Sequence, residues 1–168
     1  MIRFEVCSTT RQWSRFTEFY IRHRTRIIPY YRVSLTVKDV RDYMQQGRAA
    51  LILNESDLVV GIGCFVLGLQ EDEFKDKDIA VLGNSCFTAE YQNNRTFVRG
   101  LQKLAEEIED ANPQVREVRI PTSADNDYTN RLYRKLTNKL HSYDSNYGKV
   151  NVYSMPFREY KDFCSRFR

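Results

Sequence analysis

The chain has 168 residues, enough for one domain with a full hydrophobic core. Its net charge of +4 fits an anionic ligand or a nucleic acid but singles out neither, and no apolar run reaches the roughly 20 residues of a membrane span. Cys7, Cys64, Cys86 and Cys164 lie far apart, with no Cys-x-x-Cys and only His23 and His141 beside them, which argues against a bound metal.

The N-terminus, MIRFEVCSTT, has no apolar signal-peptide core, so a cytoplasmic protein with reduced thiols is expected. Ile2, Phe4 and Val6 alternate with polar neighbours, a strand of period two. Ser8, Thr9 and Thr10 then offer helix caps. Trp13, Phe16 and Tyr20 keep the spacing of an amphipathic helix reaching about Arg24. TVKDVRDYMQQG predicts a second helix, with Gly47 as its C-terminal cap.

Two apolar runs around Asn54-Glu55-Ser56-Asp57 predict a β-hairpin, in which Gly61 and Gly63 weaken the second strand or permit close packing. IAVLGNSCF predicts a fourth strand interrupted by Gly83-Asn84. After a polar turn, Phe97, Leu101, Leu104, Ala105 and Ile108 mark a helix that lasts to Pro113. VREVRI is a fifth strand. Tyr128, Leu132, Tyr133 and Leu136 fit a helix after Asn126, and KVNVYSM is a late strand. Phe157, Tyr160, Phe163, Cys164 and Phe167 make an apolar stripe on a last helix. The expected fold is a single α/β domain of α+β type over residues 1–168. It has a mixed, mostly antiparallel central sheet with helices on both faces and a C-terminal helix.

The polar turn is CFTAEYQNNRTF, between a buried strand and a helix start. A helix N-terminus has unpaired N–H groups and a positive dipole end, which together attract an anion. A second segment is SADNDYTNRLYRKLTNKL. Here Asn126, Thr129, Leu132, Tyr133 and Lys135 keep the spacing Asn, small residue, Leu-Tyr-x-Lys. On these two segments the chain resembles the GNAT superfamily, the general-control-type N-acetyltransferases, over nearly all its length except the last helix.

The resemblance implies acetyl-CoA as co-substrate and an amine acceptor that attacks the thioester directly. It implies that Asn126 helps hold the pantetheine arm and that the Tyr133 hydroxyl protonates the departing thiolate. Phe87-Thr88-Ala89-Glu90-Tyr91-Gln92 tracks the approach to the family's pyrophosphate loop, with Gln92 at its first position. Arg95 and Phe97 stand where that loop has two small residues, so the loop is degenerate in its side chains. The backbone N–H groups of Asn93, Asn94, Arg95, Thr96 and Phe97 are then expected to cradle the pyrophosphate. Those near Cys86 and Phe87 would polarise the carbonyl.

No general base is evident, because residues 79–89 contain no carboxylate, Glu90 is expected to be structural or solvent-facing, and Asp78 sits at the far end of the strand. RHRTRIIPYYR joins the first two helices, and Arg24, Arg26, Tyr30 and Tyr31 within it are the expected acceptor-binding residues, suited to an anionic acceptor. Nucleic acid is the less favoured partner of this basic-aromatic run. A monomer or homodimer is expected. The alternative is a GNAT-fold module without catalysis that uses its basic surface to bind nucleic acid or protein.

Overall fold

The computed structural model describes residues 1–166, so Phe167 of the expected C-terminal stripe lies outside the described residues. The chain runs β1 (Arg3–Val6), α1 (Thr10–Ile27), α2 (Val33–Gln46), β2 (Gly47–Leu53), β3 (Val59–Leu67), β4 (Ile79–Leu82) and β5 (Cys86–Phe87). It continues with α3 (Asn94–Ala111), β6 (Glu117–Ser123), α4 (Asp127–Tyr133), β7 (Leu140–Ser145), β8 (Gly148–Pro156) and α5 (Phe157–Ser165). The strands form one sheet in the order β1-β2-β3-β4-β6-β8-β7, with β5 also paired to β3. β4–β6 is a parallel pair, and the other described pairs are antiparallel.

Local chemistry explains the element boundaries. Thr9 caps α1 through a capping box: its hydroxyl accepts from the Gln12 N–H, and the Gln12 side chain accepts from the Thr9 N–H. The apolar stripe carries α1 past Arg24 to Ile27, just before Pro29. Gly47 does not close α2 in a left-handed conformation; it is extended and opens β2. The region after α4 holds a strand, β7, that periodicity does not reveal, since HSYD has no apolar alternation and most of β7 is exposed.

Two apolar layers sandwich the sheet. Phe16, Tyr20, Val40 and Tyr43 of α1 and α2 pack on Ala49, Leu51, Leu53, Ile62 and Cys64 of β2 and β3. On the other face Phe97, Leu101, Leu104 and Ile108 of α3 join Tyr160 and Phe163 of α5 over Phe65, Val118 and Tyr153. Alternate residues of β2 serve opposite faces, as the two-residue period of a strand requires.

Candidate active site

β4 and β5 are one strand interrupted by a bulge. Leu82 pairs with Phe65, and Cys86 pairs with Ile62. Residues 83–85 therefore face only Gly63 and Cys64, three residues against two. Such an insertion bends a strand and breaks its ladder locally. The bend turns β5 toward β3, while β6 pairs with β4 only over Glu117, Val118 and Arg119. Beyond that point the two parallel strands part. A gap between the carboxyl ends of parallel strands is where sheets of this kind hold ligands.

Gly83 is required at the bulge by close approach. A Cβ there would sit 2.4 Å from Cys64 Sγ and 2.6 Å from the Tyr43 ring. Two cavities meet at this gap and share Gly83, Asn84, Pro121, Thr122 and Ser123 as walls. The larger, about 610 Å³, extends over α2 and β7 past Asp39, Tyr43, Phe74 and Tyr147. The smaller, about 400 Å³, runs along β5 past Cys86, Phe87, Gln92, Asn126 and Tyr133.

Tyr133 closes α4 and is 5% exposed. Its ring is wedged between Phe97 and Tyr153. Its hydroxyl makes no hydrogen bond with the described residues. Those of Tyr20, Tyr31, Tyr43, Tyr153 and Tyr160, all buried residues too, each do. Burial first, and Tyr128 second, push the Tyr133 pKa above the ordinary phenol value, so the group is protonated at neutral pH.

The turn before α3 is partly occupied by its own side chains. Asn93 caps the helix, accepting from the Thr96 N–H at 2.9 Å, and the Phe97 N–H donates to the Asn93 carbonyl at 3.0 Å. The Asn93 N–H donates to the Tyr91 carbonyl at 3.0 Å. Of the five N–H groups expected to form a cradle, those of Asn94 and Arg95 keep no partner among the described residues. Phe97 points into the core against Phe87 and Tyr128, and Arg95 points to solvent. Thr88 Oγ1 is buried without a partner, but Thr88 does not line the cavity. Asn126 caps α4, its Oδ1 accepting from the Thr129 N–H at 3.1 Å, and its side-chain NH₂ is unpaired among the described residues.

The four residues of the α1–α2 connection have different surroundings. Tyr30 is 87% exposed with a positive φ, and Tyr31 is 2% exposed. The Arg24 guanidinium donates to the carbonyls of Tyr31 and Ile21, tying the end of α1 to the connection. Arg26 reaches the smaller cavity and donates to Gln92 Oε1 at 3.0 Å. Tyr128 donates to Asn94 Oδ1 at 3.1 Å, so the turn before α3 is gripped from α1 and from α4.

Several residues of the site escape sequence reasoning. Asn130 is a buried hub: its amide donates to the Ser123 and Asn126 carbonyls, and its Oδ1 accepts from Asn151 and Tyr153. Asn84 donates to the Tyr20 hydroxyl at 2.9 Å. The Gly83-Asn84 pair inside an apolar strand is the signal that marks the bulge. Nothing in the sequence reveals the joining of Tyr20, Tyr31 and Tyr43, which come from three segments.

No protein-family model matches the sequence, and no curated protein matches it either. Solved structures do match. An acetyltransferase of the GNAT family from Staphylococcus aureus Mu50 superposes with a TM-score of 0.68 at 10% identity, over 92% of this chain and 99% of its own. Another from Streptococcus pneumoniae gives 0.62 at 13% identity, over 92% and 99%. The ribosomal-protein-S18-alanine N-acetyltransferase from Escherichia coli gives 0.64 at 16% identity, over 94% of each chain. The chain has the fold of the GNAT acetyltransferases over more than nine-tenths of its length.

Proposed function

We propose that this chain is an N-acetyltransferase that passes an acetyl group from acetyl-CoA to an amine by direct attack. Tyr133 carries the reading. Its hydroxyl has no hydrogen-bond partner among the described residues, and Tyr133 lines the cavity that opens at the strand gap. The likeness of the fold to acetyltransferases supports it.

Acetyl-CoA would supply an activated acyl thioester. The protein's part is to bind, to orient and to move protons. The free N–H groups of Asn94 and Arg95, at the start of an 18-residue helix, suit phosphate charge, and the exposed Arg95 guanidinium adds to them. The unpaired NH₂ of Asn126 suits an amide carbonyl of the pantetheine arm. The walls at Cys86 and Phe87 would flank the thioester. The Tyr133 hydroxyl, held protonated by burial, gives its proton to the thiolate as it leaves. The acceptor enters through the larger cavity.

At 100 times its Kd, acetyl-CoA should stabilise the fold by about 2.7 kcal/mol. A thermal shift with acetyl-CoA, followed by a thiol-release screen of amines and peptides, tests the reading. No shift and no thiol release would sink it. The second reading, a binding module without catalysis, would then gain. It is favoured by the narrowness of the cradle, three of whose five N–H groups are already bonded.

The Arg26–Gln92 contact in the smaller cavity supports reading Arg26 as an acetyl-CoA-side residue instead of the acceptor-side residue that the sequence suggests. Removing one such hydrogen bond typically costs about 0.5–1.5 kcal/mol, so Arg26→Ala should weaken acetyl-CoA binding by about twofold to 12-fold. The acceptor KM should stay near the wild-type value. Calorimetric titration and steady-state kinetics separate the two, and a raised acceptor KM with unchanged acetyl-CoA affinity would reverse the assignment.

A further inference from the structure

We propose that a chain of hydroxyls, Tyr43 to Tyr20 to Tyr31, carries the proton lost by the acceptor ammonium from the β-bulge to the carboxylate of Asp39. The proposal rests on the acetyltransferase reading and supplies the general base that the sequence does not show.

The direction of every bond in the chain follows from counting donors. Tyr31 has one hydroxyl proton and gives it to Asp39 Oδ2. In the 3.0 Å contact between Tyr20 and Tyr31, Tyr20 must therefore be the donor. With its own proton committed, Tyr20 can only accept from Asn84 at 2.9 Å and from Tyr43 at 3.4 Å. All donors thus point toward Asp39. The open end is Tyr43, whose hydroxyl has lone pairs to spare. Tyr43 lines the larger cavity and its ring lies against Gly83 of the bulge. The Tyr43–Tyr20 contact is long for an O–H···O bond, as catalytic contacts often are before the substrate is bound.

The step balances. One N–H bond of the ammonium breaks as an O–H bond forms on Tyr43. The proton of Tyr43 passes to Tyr20, that of Tyr20 to Tyr31, and that of Tyr31 to Asp39. The ammonium loses one proton, the carboxylate gains one, and the freed lone pair attacks the acyl carbon. Asp39 also lines the larger cavity, and its Oδ1 has no partner among the described residues, so the proton can leave to solvent.

The surroundings suit a proton acceptor. Burial is the largest influence on Asp39 and raises its pKa; the Tyr31 hydrogen bond and Lys38 oppose this, and Asp42 adds to it. Tyr20 of α1, Tyr43 of α2 and Cys64 of β3 also act on this cluster, and burial raises the pKa of all three. Across the cavity stand Glu71, Arg119, His141 and Lys149. Arg119 is paired with Glu117.

The test compares two acceptor probes in acetyl transfer: an alkyl amine, protonated at pH 7 like a lysine side chain, and an aromatic amine, neutral at that pH. Tyr31→Phe, Tyr20→Phe and Asp39→Asn should each lower kcat/KM for the alkyl amine by about 100-fold, the lower end for general-base catalysis. The deficit should shrink as pH rises toward the amine's own pKa. With the aromatic amine it should be nearly absent. Acetyl-CoA affinity and melting temperature report whether each variant is folded. If Asp39→Asn does not fold, Tyr31→Phe, which removes a single oxygen, decides. An equal deficit with both amines, or one constant with pH, would overturn the relay and leave a merely structural network. Wild-type protein that binds acetyl-CoA but transfers to neither amine would overturn the relay alone. Failure to bind acetyl-CoA would overturn the acetyltransferase reading as well.

Discussion

Tyr133→Phe is expected to lower kcat by about 10²–10⁴-fold, the usual worth of a general acid. The acetyl-CoA dissociation constant should change little, because the hydroxyl is needed as the thiolate leaves and not while the thioester is intact. Stability should hold or rise slightly. The lost oxygen has no hydrogen bond to the described residues, and the ring keeps its packing against Phe97 and Tyr153. An unchanged melting temperature with a large loss of turnover would separate chemistry from folding. The sign of the pH effect follows from the raised pKa. The protonated phenol is the working form, so Tyr133 should impose no alkaline loss of activity up to the ordinary phenol pKa of about 10. Unchanged kcat, measured where chemistry limits the rate, would remove Tyr133 from this role.

Gly47→Ala should be the most damaging single methyl in the chain. Its Cβ would lie 1.8 Å from the Phe65 carbonyl oxygen and 2.7 Å from the Val66 Cα. Both are backbone atoms of β3, where Val66 lies directly across from Gly47 in the register and Phe65 is its neighbour. No side chain can swing aside to relieve the clash, so the ladder between β2 and β3 must shift. Overpacking typically costs about 1–3 kcal/mol, and a backbone clash belongs at or above the upper end. A loss of about 3 kcal/mol corresponds to a drop of roughly 6–12 °C in melting temperature for a chain of this size. A drop of less than about 2 °C would show that β2 and β3 do not approach so closely.

Gly47 also shows where sequence reasoning stops. A glycine after an amphipathic helix signals a C-terminal cap, and α2 does end there. The reason lies elsewhere: Gly47 has extended dihedrals and is small because Phe65 presses on it. That neighbour is 18 positions away in the chain, and no local pattern contains it.

Amphipathic periods of two and 3.6 residues place β1, α1, α3, β6 and α5, and two apolar runs around a polar turn place β2 and β3. The spacing from Asn126 to Tyr133 was legible because both ends lie on one short helix, whose geometry is local. β7 was not legible, because an exposed edge strand need not alternate. The turn before α3 is polar and suited to an anion by sequence, but Asn93 can bond either a ligand or its own helix, and it bonds its helix.

The sequence by itself determined the order of the elements other than β7, the two-faced sheet and the residues of the polar turn, because propensity and hydrophobic spacing act within a few positions of each residue. Only the tertiary structure decided which N–H groups stay open, on which side of the gap Arg26 lies, and that Tyr43, Tyr20, Tyr31 and Asp39 share one hydrogen-bonded chain. These are long-range contacts between different elements. They arise when packing brings distant polar groups out of water together and each must find a partner inside.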